Sequence, residues 1–172
     1  MTTLLLVRHS ETDWNAERRF QGHADVPLNT RGREQAERLA ADLTKSGVGV
    51  VYSSDLSRAR ETAEIVGARL GIEVILDPDL REVDVGSRQG LTWSEAQELT
   101  DWDGESREAH AERILGALER IAAQHRGERV LVVTHGGSMR RVHDHLGLDT
   151  APFENCAVWA CAHEDGVLRE LD

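Results

Sequence analysis

The hydrophobic pattern of the chain contains two continuous apolar runs, over residues 4–7 and 130–133. Unbroken runs of this length are typical of strands buried on both faces, as at the centre of a parallel sheet. Shorter apolar or alternating segments predict four more strands. These cover 48–52, 74–76 and a C-terminal hairpin over 156–162 and 167–171 that turns at Asp165 and Gly166.

Apolar residues recur at helical spacing between these strands, and the resulting alternation sets the fold class. Five helices are predicted, over 30–46, 55–70, 92–99, 106–124 and 136–145. The second could also begin at 57 and the last at 137. Thr30 is expected to be the N-cap of the first. We therefore expect an α/β fold, a three-layer α/β/α sandwich. Its central sheet is mostly parallel and has an antiparallel C-terminal edge.

Length, charge and cysteine spacing narrow the class of protein. The 172 residues fit one domain over 1–172, and the formal net charge of −11 argues against nonspecific binding to nucleic acid or an anionic membrane. The run at 4–7 is too short to span a bilayer and lacks secretory features, so we expect a cytoplasmic protein. Cys156 and Cys161 lie an odd number of residues apart in a predicted strand, which disfavours a disulfide or a shared metal.

Each of the two apolar runs leads into a histidine, His9 after the first and His135 after the second. Because the carboxyl ends of parallel strands meet at one edge of a sheet, where ligands bind, we expect these side chains to lie together. A neutral imidazole can attack a phosphate ester, and the planar guanidinium group of arginine holds two phosphate oxygens at once. The pattern therefore indicates a phosphate site at this edge.

Four polar segments carry a family resemblance. Their sequences are RHSET at 8–12, SSDLSRA at 53–59, LRE at 80–82 and THGG at 134–137. In this order they resemble the motifs of the histidine phosphatase, or phosphoglycerate mutase-like, superfamily. The resemblance covers nearly the whole chain and implies a phosphoglycerate mutase-like fold.

The resemblance implies that His9 becomes phosphorylated while Arg8, Arg58 and His135 surround the phosphoryl oxygens. Two guanidinium groups beside an imidazole disfavour its protonated form and keep its lone pair available, which agrees with this role. Gly136 opens a predicted helix, where backbone amides and the helix dipole favour phosphate. The remaining residues expected to bind phosphate are Asn15, Gln21 and Gly22.

An alcohol leaving group needs a proton, and the resemblance places the general acid at Glu82. The same carboxylate can then deprotonate the water that cleaves the phosphohistidine. Rival carboxylates in neighbouring segments are Glu11, Asp84 and Glu105.

Two departures from the family pattern bear on function. Ser10 stands where the family usually has Gly, which carries a cost if that position requires a positive φ or close approach to phosphate. The stretch at 90–105 is shorter than the insertion that covers the pocket in many members, and no tail follows the terminal hairpin. A reduced lid admits water and favours hydrolysis over phosphoryl transfer between sugar acids.

The expected function is therefore a phosphomonoesterase that acts on a small phosphorylated metabolite or a phosphoprotein. A 2,3-bisphosphoglycerate-dependent phosphoglycerate mutase and a non-catalytic phosphate-binding protein are the alternatives left open. No metal-ligand spacing is present, so catalysis without metal or cofactor is expected. An exposed edge of the terminal hairpin is compatible with a monomer or a homodimer.

Overall fold

Six strands form one mixed sheet in the computed structural model, which describes residues 1–149 and 152–171. The strands are β1 Thr2–Arg8, β2 Val50–Ser53, β3 Val74–Leu76, β4 Arg129–Thr134, β5 Val158–Glu164 and β6 Val167–Glu170. Their order across the sheet is β3-β2-β4-β1-β5-β6. The first four are parallel, whereas β5 runs antiparallel to β1 and β6 antiparallel to β5. The predicted parallel sheet with an antiparallel C-terminal edge is confirmed.

Helices cover both faces of the sheet. They are α1 Asp13–Ala16, α2 Thr30–Asp42, α3 Ser57–Leu70, α4 Trp93–Ala96, α5 Arg107–Gln124 and α6 Gly136–His145. One buried cluster joins one face of the sheet to α5 and α6, and a second joins the other face to α2 and α3. The three-layer α/β/α sandwich is thus confirmed. None of the helices within the described ranges is long and apolar enough to cross a membrane.

The apolar run in β1 divides between the two clusters. Leu4 and Leu6 pack in the cluster with α5 and α6, whereas Leu5 and Val7 pack in the cluster with α2 and α3. Because successive side chains of a strand point to opposite faces, a strand covered on both sides needs an apolar residue at every position. Each such side chain contributes roughly 1.5–3 kcal/mol when fully buried. This burial fixes the register that places His9 at the carboxyl edge.

Element ends differ from the predictions where local contacts compete. Asn29, not Thr30, is the N-cap of α2, because its Oδ1 accepts a hydrogen bond from the Gly32 amide at 2.7 Å. The α-helix ends at Asp42 and continues as a 3-10 turn over Leu43–Lys45. β2 begins at Val50, so residue 48 lies outside it.

Three further predictions need correction. The helix predicted over 92–99 is reduced to α4. Thr92 is its N-cap and forms a capping box with Glu95. The loop after His9 contains a short helix, α1, whose four residues are too few to show a hydrophobic period. Cys156 precedes β5 and has a φ of 62°, so the alternation of side chains along a strand does not determine its direction. Both cysteines are free.

Candidate active site

The two histidines that follow the central strands lie side by side. β1 and β4 are neighbouring parallel strands, and the backbone amide of His9 donates to the carbonyl of Thr134 at 3.0 Å. The ring centroids of His9 and His135 are 5.2 Å apart, and both residues are buried. The strand order therefore brings together residues that are far apart in the sequence.

Hydrogen bonding defines the tautomer of His9. Its Nδ1 lies 2.7 Å from the carbonyl oxygen of Ser10, which can only accept, so Nδ1 carries the proton and donates. Burial, followed by the charges of Arg58 and Arg8, holds the pKa of His9 well below its ordinary value. The ring is thus neutral, and its Nε2 keeps a lone pair available for attack.

Two arginines, Arg58 buried and Arg8 partly buried, supply positive charge beside this ring. Arg58 is 1% exposed and donates through its two terminal nitrogens to the carbonyls of Ala24 at 2.8 Å and Gly22 at 2.7 Å. Arg8 donates to the carbonyl of Phe153. In both arginines Nε is buried and has no partner among the described residues. Burial lowers the pKa of Arg58 to about 10, so the group remains charged at neutral pH.

His135 provides a third buried nitrogen that has no partner in the described part of the chain. Its Nε2 lies 2.9 Å from Oγ of Ser54, and its buried Nδ1 has no partner among the described residues. Burial, with the charge of Arg58 next, holds the pKa of His135 well below its ordinary value. A neutral ring that accepts from the Ser54 hydroxyl at Nε2 carries its proton on Nδ1. That proton, like the Nε protons of Arg8 and Arg58, can be satisfied by an anion's oxygen.

Glu82 is held at the start of α6. Its Oε2 accepts from the backbone amide of Gly137 at 2.9 Å, and its Oε1 accepts from the amide of Val83 at 2.9 Å. A Cβ on residue 137 would lie 2.3 Å from Oε1, so a side chain there would displace the carboxylate. Gly137 thus connects the helix that follows His135 to the proposed acid.

The rival carboxylates have other partners. Glu105 accepts two hydrogen bonds from Arg113, at 2.9 and 2.7 Å. Burial alone would raise the pKa of Glu105, but these bonds and the positive charge of Arg113 lower that pKa below its ordinary value. Glu11 accepts from the side-chain amide of Asn29 at 3.1 Å. Asp84 is exposed. An ionised, paired Glu105 is poorly suited to donate a proton, which favours Glu82.

Comparison with known proteins decides the family. The model of the histidine phosphatase superfamily (branch 1) matches residues 4–166 of this chain. The chain belongs to this superfamily. The family suggested by the sequence motifs is confirmed.

Two relatives from Arabidopsis thaliana carry different names. Phosphoglycerate mutase-like protein 4 is 46% identical over 159 residues, covering 82% of this chain and 69% of that protein. Metal-independent phosphoserine phosphatase is 44% identical over 161 residues, covering 83% of this chain and 68% of that protein. The solved structure of a mycobacterial glucosyl-3-phosphoglycerate phosphatase, complexed with VO3, superposes on this chain with a TM-score of 0.88 at 29% sequence identity. The match covers 98% of this chain and 96% of the mycobacterial chain.

The other residues expected to bind phosphate in this histidine phosphatase surround the core of the site. Asn15, the third residue of α1, forms a capping box with the N-cap Thr12, whose hydroxyl also donates to Oε1 of Gln21 at 2.9 Å. Gly22, at φ 51°, presents its carbonyl to Arg58. A Cβ on Gly136 would lie 3.3 Å from Nε of Arg8. Gly22 therefore orients Arg58, and the absence of a side chain on Gly136 leaves room for Arg8.

Two residues that support the site, Ser54 and Asn155, were not among those expected. Ser54 contacts His135 and lies within the 53–59 motif, so its position at a strand end was the available signal. Asn155 donates to the carbonyl of His9 at 2.9 Å and to Oδ1 of Asn15 at 3.3 Å. Nothing in the local sequence around Asn155 indicates that role, because the contact spans 146 residues.

Ser10, where the histidine phosphatase family usually has Gly, fits without backbone strain. It is not among the residues with positive φ, and its amide donates to the Thr62 hydroxyl at 3.0 Å. Its hydroxyl lies 3.0 Å from Sγ of Cys156. Within the described residues, no group of three or more His, Cys, Asp or Glu side chains could hold a metal ion.

Proposed function

We propose that this protein is a phosphomonoesterase that hydrolyses small phosphate esters through a phosphohistidine on His9. The observation that carries the proposal is the bond from Nδ1 of His9 to the Ser10 carbonyl at 2.7 Å, which leaves Nε2 unprotonated beside the guanidinium groups of Arg58 and Arg8. A nucleophile needs that lone pair, and a transferring phosphoryl group needs cations around its oxygens.

In the first step, Nε2 of His9 attacks phosphorus in line with the ester oxygen. Arg8, Arg58 and His135 donate to the non-bridging oxygens through the nitrogens that have no partner within residues 1–149 and 152–171. The phosphorus–oxygen ester bond breaks, and protonated Glu82 gives its proton to the departing alkoxide. Removing this proton transfer typically costs about 10²–10⁴ in rate, because an alkoxide is a poor leaving group.

In the second step, Glu82 accepts a proton from a water molecule, whose oxygen attacks the phosphohistidine. The nitrogen–phosphorus bond breaks, inorganic phosphate leaves, and both His9 and the protonated Glu82 are regenerated. The carboxylate alternates between acid and base, so the Gly137 and Val83 amides that position it serve both steps.

Hydrolysis is favoured over mutase activity by the exposure of the segment after the acid loop. This segment contains only one short helix, α4, and Trp93 and Trp102 are 59% and 49% exposed. A mutase must keep water from its phosphoenzyme, and a short, open cover leaves the site accessible to water. The mutase alternative also needs a test, because several relatives carry phosphoglycerate mutase names.

The test combines an aryl phosphate assay with detection of the phosphoenzyme. The wild-type protein should release phosphate in the presence of a chelator and form an acid-labile phosphohistidine, and His9→Ala should do neither. Turnover by His9→Ala would overturn the proposed nucleophile. Free phosphate from 3-phosphoglycerate supports hydrolysis, whereas 2-phosphoglycerate identifies a mutase. Binding of phosphate without any phosphoenzyme would indicate a non-catalytic protein.

A further inference from the structure

The loop that carries Glu82 has little regular structure of its own. A 3-10 turn, Pro78–Leu80, ends just before it, and residues 81–85 lie in neither a helix nor a strand. Backbone carbonyls in such a segment need partners from elsewhere in the fold. The amides of Gly137 and Val83 hold the end of the Glu82 side chain. The position of the carboxylate depends equally on what holds the main chain from which it extends.

Arg113 on α5 binds that main chain at three points. Its Nη1 donates to the carbonyls of Asp79 and Arg81 at 2.9 Å each, and its Nη2 donates to the carbonyl of Glu82 at 3.1 Å. One side chain thus contacts three carbonyls within a short stretch that ends at the proposed acid. A guanidinium group suits this task, because its donors have a fixed planar arrangement.

The remaining donors of Arg113 are committed to Glu105. Nε donates to Oε1 at 2.9 Å and Nη2 donates to Oε2 at 2.7 Å. A guanidinium group has five N–H donors, and these two bonds together with the three to carbonyls use all of them. The side chains of Arg113 and Glu105 are only 20% and 17% exposed. The group is therefore oriented by the protein and keeps no N–H for a ligand.

Glu105 connects the same guanidinium group to the far side of the loop. Its Oε2 accepts from the amide of Asp84 at 3.3 Å, and its own amide donates to the carbonyl of Asp84 at 2.8 Å. Glu105 directly precedes Ser106, the N-cap of α5. The pair of Arg113 and Glu105 therefore contacts the main chain before, at and after Glu82.

Two other side chains contact the same carbonyls. Nε2 of His23 lies 2.8 Å from the carbonyl oxygen of Glu82, which can only accept, so this nitrogen donates. Oγ of Ser138 donates to the carbonyl of Arg81 at 3.1 Å. Each of these side chains contacts one carbonyl of the loop, whereas Arg113 contacts three. Removal of the Arg113 donors should therefore release the loop most.

We propose that Arg113, oriented by Glu105, is a positioning residue for the proton donor Glu82. This role rests on the proposed phosphomonoesterase, in which Glu82 protonates the departing alkoxide and then deprotonates water. Arg113 contacts no reacting group and acts by holding the main chain of Glu82. Both proton transfers should depend on it, because a misplacement of about 1 Å can cost about 10² in rate. The phosphate site lies on other elements and should stay intact.

Arg113→Met tests this role through the leaving group. Methionine is a flexible side chain that fills space without offering a donor. We expect phosphoenzyme formation from an alkyl phosphate to slow by about tenfold or more relative to formation from an aryl phosphate, whose leaving group needs little protonation. Rapid acid quench measures both rates.

A second readout uses the role of Glu82 as the base. In Arg113→Met, the lifetime of the phosphohistidine should lengthen by about tenfold or more, because the water is deprotonated less effectively. The inhibition constant of inorganic phosphate should stay close to the wild-type value. A variant that is merely destabilised would instead form less phosphoenzyme and bind phosphate more weakly.

Two variants complete the experiment. Arg113→Lys keeps a positive charge beside Glu105 but carries three donors on one atom, so it should restore part of the alkyl rate, and it replaces Arg113→Met if that variant does not fold. Arg120→Met is the matched control. Arg120 lies about two turns further along α5 and binds the same region through the carboxylates of Asp77 and Asp79. It should leave the ratio of alkyl to aryl rates and the phosphohistidine lifetime as in the wild type.

The outcomes separate this role from the activity on which it rests. If alkyl and aryl phosphates slow by the same factor in Arg113→Met, or if Arg120→Met shows the same change in their ratio, the positioning role is refuted and the phosphomonoesterase is not. A wild-type protein that forms no phosphoenzyme from an aryl phosphate would refute the phosphomonoesterase itself, and with it an effect of Arg113 on proton transfer. Circular dichroism shows which variants are folded.

Discussion

The backbone amide of Gly137 donates a hydrogen bond to Oε2 of Glu82 across 55 positions of sequence, at 2.9 Å. This contact joins the first turn of α6 to the loop that carries the proposed acid. It also depends on the absence of a side chain at residue 137, since a Cβ there would lie 2.3 Å from Oε1. The carboxylate is thus positioned by the helix that follows His135.

Gly137→Ala should impair proton donation more than nucleophilic attack. The new methyl group displaces the Glu82 carboxylate, whose flexible end can move, so the fold should persist. We expect phosphoenzyme formation from an alkyl phosphate to slow by about 10² or more, the order that general acid catalysis contributes. Formation from an aryl phosphate, whose leaving group needs little help from a proton, should slow much less. Rapid acid quench measures both rates.

Gly116→Ala is the matched control for this substitution. Gly116 lies in α5, and a Cβ there meets nothing within 4 Å. It should leave both rates unchanged. Equal slowing with the alkyl and the aryl substrate in Gly137→Ala would show that Glu82 does not act as the proton donor.

Ser54→Ala should weaken phosphate binding through His135. The buried Nε2 of His135 loses its partner at 2.9 Å, which removes the contact that orients the ring. An unsatisfied buried group costs about 1–3 kcal/mol. We expect the inhibition constant of inorganic phosphate to rise about tenfold, equivalent to about 1.4 kcal/mol. Ser53→Ala is the control, because its hydroxyl donates to the carbonyl of Ser54 and not to His135. A similar rise in both variants would contradict this role.

Stability should fall as the pH is lowered below about 6.5, the ordinary pKa of histidine. His9 and His135 are neutral in the folded protein because burial and nearby arginines depress their pKa values. Below that pH the unfolded chain binds protons that the folded chain does not. Each such histidine then costs up to about 1.4 kcal/mol of stability per pH unit. Above that pH these two groups contribute no pH dependence.

Urea unfolding at pH 7.5, 6.5 and 5.5 measures this effect. The loss of stability between pH 6.5 and 5.5 should become smaller in His135→Gln than in the wild type. His145→Gln, at the exposed end of α6, is the comparison variant and should behave like the wild type. An identical pH dependence in His135→Gln and the wild type would mean that His135 is not held neutral by the fold.

Ser10→Gly should destabilise the protein although it restores the residue usual in the family. Ser10 does not have a positive φ, so Gly relieves no strain there. The contact between Oγ and Sγ of Cys156 at 3.0 Å is lost, and the unfolded chain gains freedom. We expect a decrease of about 1 kcal/mol in the free energy of unfolding. Ser10→Ala removes the hydroxyl alone and should lose less. A more stable Ser10→Gly would contradict this account.

Much of the fold was predictable because it depends on local patterns. The apolar runs at 4–7 and 130–133 specify strands buried on both faces, and the shared edge of a parallel sheet follows from that class of fold. Prediction was less successful at element ends, as with Asn29 in place of Thr30 and the short α4. These ends depend on individual hydrogen bonds rather than on a period.

The sequence by itself determined the α/β/α sandwich, its antiparallel edge and the segments that carry His9, Arg58, Glu82 and His135. Only the tertiary structure decided how those groups are held. It places the proton on Nδ1 of His9, the hydrogen bond from the Gly137 amide to Glu82, and the ion pair with Arg113 that leaves Glu105 ionised. Hydrophobic periodicity is a property of neighbouring residues and can be read along the chain. Proton positions and charge pairing depend on atoms that meet only when distant segments pack together.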